Sequence, residues 1–275
     1  MTNLDIMSQI DSLPPLPQTV IELESFKKSA SHEVSDLIKI IEKDPLIVST
    51  LLKVSNSAMF GFVSKIETPS RAVNLLGINF TLSIALASSM KKSINTDLQA
   101  YGKDSDDFLR LANMQSNLIN LWIGKIDLKL RDELILPAFL QESGKFLVSD
   151  YIKKQKKESD FLQAVTNNPD KIAQIEKDFT GVSTSQITSA IFKHWGLDGD
   201  LVNDIYYADS PFEAPLKYQK NSIILGISKL VCNIISPFDE VCIQKAKKLV
   251  VDNGYTTKEF DNAINKLQDR LLDEE

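Results

Sequence analysis

The chain has 275 residues, 43% of them hydrophobic and 25% charged, an ordinary globular composition that argues against disorder. Ten glycines and ten prolines are too few for a many-turned β protein. A formal net charge of −6 sets the molecule as a whole against a phosphate backbone, so nucleic acid is a poor partner.

The opening Met1-Thr2-Asn3-Leu4-Asp5 has neither the basic nor the apolar region of a signal peptide. Leu13-Pro14-Pro15-Leu16-Pro17 cannot be helical except at its end, since each proline lacks a donor and constrains the residue before it. Two readings stand for it: a rigid connector between helices, or a docking strip of polyproline-like shape for another protein. His32 precedes a stripe of Val34, Leu37, Ile38 and Ile41, so it reads as an exposed residue at a helix start. At Asp44-Pro45 a carboxylate that can cap free N–H groups precedes a proline suited to the first helical turn. The helix it opens carries Leu46, Ile47, Leu51 and Val54 and stops near Asn56. After Asn56-Ser57, the residues Met59, Phe60 and Phe62 crowd apolar groups around a turn at Gly61. They form either a protein-contact surface or a plug at a subdomain junction. Thr68-Pro69 opens another helix that ends at Gly77, read as a left-handed C-terminal cap, and Asn79 caps the next one through about Lys92. The apolar run from Ile78 to Met90 is too short to span a bilayer.

A polar stretch over 92–106 marks a boundary between two helical subdomains, 1–95 and 96–275. Beyond it, Phe108, Leu111, Ala112, Leu118, Ile119, Trp122 and Ile123 define an amphipathic helix with Gln115 on its apolar face. Further helices are expected near 132–142, 146–157, 158–167, 184–196, 199–208, 217–235, 239–253 and 257–272. Lys153 to Lys157 reads as a solvated helix end. Cys232 and Cys242, in apolar surroundings, read as buried free thiols of a reducing compartment, which places the protein in the cytoplasm.

Taken in order, the LPPLP segment, Asp44-Pro45, Asn56-Ser57-Ala58 with Phe60-Gly61, and Ala72 to Gly77 resemble the HDOD module, a bacterial relative of the HD phosphohydrolases. The resemblance covers residues 10 to 211. It implies an all-α protein with an N-terminal helical bundle packed on a degenerate HD-like core. Pro137 to Lys145 looks like the leucine-rich helix that in the HD superfamily ends in His-Asp and then glycine, with Gln141-Glu142 at the His-Asp place. By the same comparison Gln115 and Thr184 stand at metal-binding histidine positions, and Ile205-Tyr206-Tyr207 at a downstream one.

A divalent metal in such a site needs imidazoles and carboxylates converging from several helices. This chain has two histidines, His32 and His194, and neither forms a His-Asp pair. His194 reads as a hydrogen-bonded core or interface residue on the Thr184, Ile187, Ile191 face. No glycine-rich phosphate loop, CxxC, HExxH or GxSxG occurs. The expectation is a vacated metal site, no cofactor, and a polar cluster of Gln115, Gln141, Glu142 and Thr184. The resemblance implies a non-catalytic signalling protein that contacts other signalling proteins, in a class tied to motility and cyclic-dinucleotide pathways. Leu13, Pro14, Leu16, Pro17, Met59, Phe60 and Phe62 are its candidate contacts. Two alternatives remain open: a receptor for a nucleotide-type small molecule in the vacated pocket, and a residual metal-dependent phosphohydrolase.

Overall fold

The computed structural model describes residues 4–29, 33–94 and 97–272; His32 and the Glu274-Glu275 pair lie outside them. Among the described residues the regular structure is helical, with one isolated antiparallel bridge, Leu98 to Lys103. The helices are α1 (Leu4–Asp11), α2 (Gln18–Lys28), α3 (Val34–Glu42), α4 (Pro45–Ser55), α5 (Pro69–Ser93), α6 (Ser105–Trp122), α7 (Leu128–Leu140), α8 (Lys145–Lys154), α9 (Glu158–Asn167), α10 (Ile172–Thr180), α11 (Thr184–His194), α12 (Gly199–Tyr206), α13 (Leu216–Val231), α14 (Glu240–Asp252) and α15 (Thr257–Leu272). They fall into two units: Met1–Ser12 with Thr96–Gln268, and Leu13–Asn95 with Asp269–Glu275. A single cut near residue 95 therefore misplaces α1, which belongs to the larger unit and packs on α8 and α11.

In the smaller unit the expected caps form. Asp44 Oδ1 accepts from Leu46 N at 2.9 Å with Pro45 in the first turn, and Thr68 Oγ1 accepts from Arg71 N at 3.3 Å. Asn56 does more than end α4. Its Oδ1 accepts from Ile66 N at 2.8 Å and its Nδ2 donates to Ile66 O at 2.8 Å, which closes the loop of residues 57–66. Ser57 opens the single turn Ala58–Phe60, and Gly61 ends it with φ 64°. Gly77 is not the expected left-handed cap: at φ 80°, ψ 171° it breaks α5 in a region only glycine enters readily. The helix resumes directly after the break, where Thr81 Oγ1 donates to Gly77 O at 2.8 Å, so Asn79 lies inside its first turn rather than capping it. The stretch Pro69–Ser89 is long and apolar enough to cross a membrane by composition, yet most of it is buried within the protein.

The loop after Asn56 corrects one expectation outright. Met59 is 1% exposed, so it is core and cannot be a contact residue; Arg270 donates to its carbonyl. Phe60 is half-buried, stacked on Phe62 at 5.8 Å and edge-on to Phe80 at 5.2 Å. The exposed apolar group here is Val63, at 106%. In the proline strip Pro14 and Pro15 are exposed, while Leu13, Leu16 and Pro17 are half-buried.

In the larger unit an aromatic core forms around Trp122, which meets Phe260 at 4.9 Å and Tyr255 at 5.6 Å. Phe161 meets Tyr101 at 5.0 Å and Phe179 at 5.4 Å. The basic run from Lys153 ends α8 as expected: Lys153 pairs with Asp97 at 2.7 Å and Lys154 with Asp150 at 2.6 Å. His194 is exposed in the last turn of α11, not a core residue.

Both cysteines are buried and free. Burial pushes the Cys232 thiol up, and burial with Asp239 beside it pushes Cys242 up to about 12. Thiolate is the reactive form, so the native protein is expected to leave a disulfide-exchange dye unreacted over minutes, with two thiols appearing in guanidinium. Fast native labelling would contradict this burial.

Candidate functional site

Two glycines set the spacing of the site. A Cβ on Gly144 would lie 2.7 Å from the Thr184 carbonyl and 2.9 Å from Thr188 Oγ1, so only glycine lets the 141–144 turn reach α11. Gly144 N donates to Thr188 Oγ1 at 2.8 Å, and that hydroxyl faces the Gln141 and Thr184 carbonyls, each 2.9 Å away. A Cβ on Gly226 would lie 2.6 Å from the Ala208 carbonyl. This closeness holds α13 against the end of α12 and sets Lys229, three residues on, beside Asp209.

The result is a buried ionic network drawn from α6, α8, α10, α11, α13 and three turns, at Tyr101, Gln141-Glu142 and Asp209. Lys145 Nζ lies 3.2 Å from Glu142 Oε2, is paired with Glu176 Oε1, and sits 5.0 Å over the Tyr101 ring. The Tyr101 hydroxyl donates to the same Glu176 oxygen at 2.8 Å. Lys229 Nζ pairs with Asp209 Oδ1 at 2.6 Å, donates to Ser185 Oγ at 2.8 Å and approaches Glu142 Oε2 at 4.0 Å. Asp209 Oδ2 accepts from Ser185 N at 3.1 Å, in the first turn of α11, where a carboxylate also meets the positive end of the helix dipole. Beside these ions lies an amide relay. Gln141 Nε2 donates to Gln115 Oε1 at 2.7 Å and to Ser228 Oγ at 3.0 Å, while Gln115 Nε2 donates to Glu142 Oε1 at 3.2 Å and to the Cys232 carbonyl at 2.9 Å.

The charges fix one another. Burial would lower the Lys145 ammonium, but Glu142 and then Glu176 raise it, so it stays protonated. Lys229 is likewise raised against burial, by Asp209 and then Glu142. Burial pushes the Asp209 carboxyl up, and the Lys229 charge with the Lys229 and Ser185 hydrogen bonds brings it down to about 2. Burial, then the Glu176 charge, lift the Tyr101 phenol well above its ordinary range.

Of the residues expected here, Gln115, Gln141 and Glu142 hydrogen-bond directly, and Thr184 joins them through the Gly144–Thr188 contact and its place beside the Tyr101 hydroxyl. Ile205-Tyr206-Tyr207 does not supply the downstream group. Ile205 is core and the two tyrosines meet edge-on at 4.8 Å; Asp209, two residues past Tyr207, enters the site. Sequence reasoning missed Lys145, Glu176, Asp209 and Lys229 as site residues. A signal existed for two of them: Lys229 is a lone charge in the apolar run 223–231, and Glu176 falls on the helical stripe of Ile172, Ile175 and Phe179.

The donor set does not suit a divalent cation. Glu142, Glu176 and Asp209 already face ammonium groups, the two glutamines offer neutral amides, and His194, the histidine among the described residues, is exposed in the last turn of α11. Among the described residues no group of three His, Cys, Asp or Glu side chains has metal-binding geometry.

Replacing Lys145 by Met strands two buried carboxylates, a loss expected to cost about 3–5 kcal/mol. Adding Glu176→Gln to that variant is expected to restore part of the stability in denaturant titrations; a double variant weaker than the sum of the singles would deny the coupling. A second test uses pH. Burial, only partly offset by Asn221, raises the neighbouring Asp204 carboxyl to about 6. The fold therefore binds that proton more tightly than the unfolded chain does, so this group costs stability above pH 6 and the cost fades as pH falls toward 4. Asp204→Asn is expected to stabilise by about 1 kcal/mol at pH 8 and by little at pH 4. For Asp209 the sign is opposite: its contribution is complete above the usual carboxylate range and is lost as pH falls through 2.

A relative from Treponema pallidum (strain Nichols), itself uncharacterised, is 22% identical over 243 residues; these are 86% of this chain and 46% of that protein, so the chain spans about half of the relative's length. Among solved structures, a virulence factor from Campylobacter jejuni subsp. jejuni superposes with TM-score 0.58 and 26% identity over 98% of this chain and 99% of that one. A candidate signal transduction protein from Marinobacter aquaeolei VT8 superposes with TM-score 0.70 and 15% identity over 95% of this chain and 59% of that one. The HDOD domain model matches residues 13–211, most of the chain, and the protein therefore belongs to the HDOD domain family.

Proposed function

We propose that this HDOD chain is a non-catalytic regulatory protein of a bacterial signalling system, working in the cytoplasm through contacts with other signalling proteins. The observation that carries the reading is the pair of buried ammonium groups, Lys145 and Lys229, held by Glu142, Glu176 and Asp209, with Glu142 at a place that the HD resemblance gives to a metal ligand. Tethered cations tie the helices together as a metal would, but an ammonium has no open coordination position at which to activate water. Such a centre keeps the fold and gives up the hydrolysis. The mostly buried apolar helix of the smaller unit fits a core element rather than a membrane anchor. The exposed Pro14-Pro15 pair and Val63 are the contact points this reading favours, in place of Met59.

Protein purified after growth with added manganese, iron and zinc is expected to carry far less than one metal per chain by elemental analysis, and to leave bis-p-nitrophenyl phosphate unhydrolysed with manganese present. One metal per chain, with turnover abolished by Glu142→Gln, would overturn the reading. In crosslinking from native cells, a specific partner is expected to be lost with Leu16→Asp or Val63→Asp at unchanged helicity. Partners indifferent to both changes would remove these surfaces from the account.

A further inference from the structure

The ionic network is the floor of a cleft of about 410 Å³ within the larger unit. Its walls are apolar, from Ile172, Ile223, Leu230 and Ile234, and its rim carries Asp170, Phe212 and Glu213. The volume lies in the range of small-molecule sites, and apolar walls over a few polar groups are their usual construction. Charge decides which molecule fits. Glu142, Asp170, Glu176, Asp209 and Glu213 set five carboxylates against two ammonium groups, a net of −3, and Lys245 outside the cleft offsets only Asp170. Both lysines are already engaged by carboxylates, so nothing at the floor is left to receive a phosphate. This speaks against a nucleotide.

What the floor lacks is a donor. Glu176 is 0% exposed, yet its Oε2 has no hydrogen-bond partner; Lys145 and Tyr101 both address Oε1. Glu142 Oε2 lies near both ammonium groups but accepts no directed hydrogen bond. A buried carboxylate oxygen without a donor is costly, and a charged donor relieves that cost best. We propose that this cleft is a receptor site for a small organic cation, a protonated amine or guanidinium on an apolar body, with its donors on Glu176 and its body against Ile172, Ile223 and Leu230. The site goes beyond the regulatory reading by giving the protein a chemical input.

The test is a matched charge series on the whole chain: hexylamine and agmatine against the neutral hexanol and the anionic hexanoate, by calorimetry and thermal melting. The amines are expected to bind with Kd between about 10 μM and 1 mM, with hexanol and hexanoate at least ten-fold weaker. At ten times Kd the amines should raise Tm by roughly 3–5 °C. Glu176→Gln is expected to weaken amine binding at least ten-fold. Because that change also touches the Lys145 pair, Ala173→Leu, which fills the cleft and alters no charge, is the second variant and should abolish binding with the fold intact by circular dichroism. No amine binding at about 5 mM, equal binding of hexanol, or full affinity in the Ala173→Leu variant would overturn the proposal. So would tighter binding of cyclic di-GMP at this cleft. Manganese alone binding there, displaced by Ala173→Leu, would overturn it too and would count separately against the metal-free reading.

Discussion

Two ammonium groups buried among three carboxylates are the constraint on which the larger unit depends. Removing such ions from water is expensive, and close partners repay the cost only in good geometry. Here that geometry is set by backbone: Gly144 admits the 141–144 turn to α11, and Gly226 admits α13 to the end of α12. Each glycine brings one lysine to its carboxylates, Lys145 one residue after Gly144 and Lys229 three after Gly226. The amide relay of Gln115 and Gln141 then ties the ions to α6 and to the end of α7. The packing of helices and the satisfaction of charge are thus one problem with one solution.

That solution is left slightly incomplete. Three carboxylates against two ammonium groups leave the floor negative, and an unpartnered oxygen remains on Glu176, beneath an apolar cleft that meets the network. A chain under selection for stability alone could close such a gap with a glutamine. An unanswered acceptor under an open cleft is the feature on which the proposed amine site rests.

Much of the fold was legible because its signals are local. Asp44-Pro45 and Thr68-Pro69 announce their helices through capping chemistry that needs no tertiary context, and the stripes of α6 and α15 speak for themselves. Gly77 shows the limit: sequence says that a non-standard φ is needed, but neighbours choose between the left-handed cap and the extended break that forms. Helix α10 was missed because one member of its buried stripe is a carboxylate, and an apolar pattern counts Glu176 as surface. The polar cluster at Gln115, Gln141 and Glu142 was readable by position; Lys229 and Glu176 left a signal as lone charges in apolar patterns, but the pairing of the ions did not. Lys229 and Asp209 lie 20 residues apart in sequence, and only the close approach at Gly226 makes them a pair.

The chain runs from the larger unit into the smaller at residues 12–13, back at 95–96, and into the smaller again within α15. The two units are therefore interleaved rather than strung in series. Recombination at the polar stretch near residue 95 would carry α1 away from α8 and α11 and separate Arg270 from the Met59 carbonyl it supports. Exchange between genes at that natural-looking seam would therefore damage both products at once. The HDOD segment at 13–211 also stops short of Lys229, so the module's boundary cuts through the ionic network and leaves its second ammonium outside.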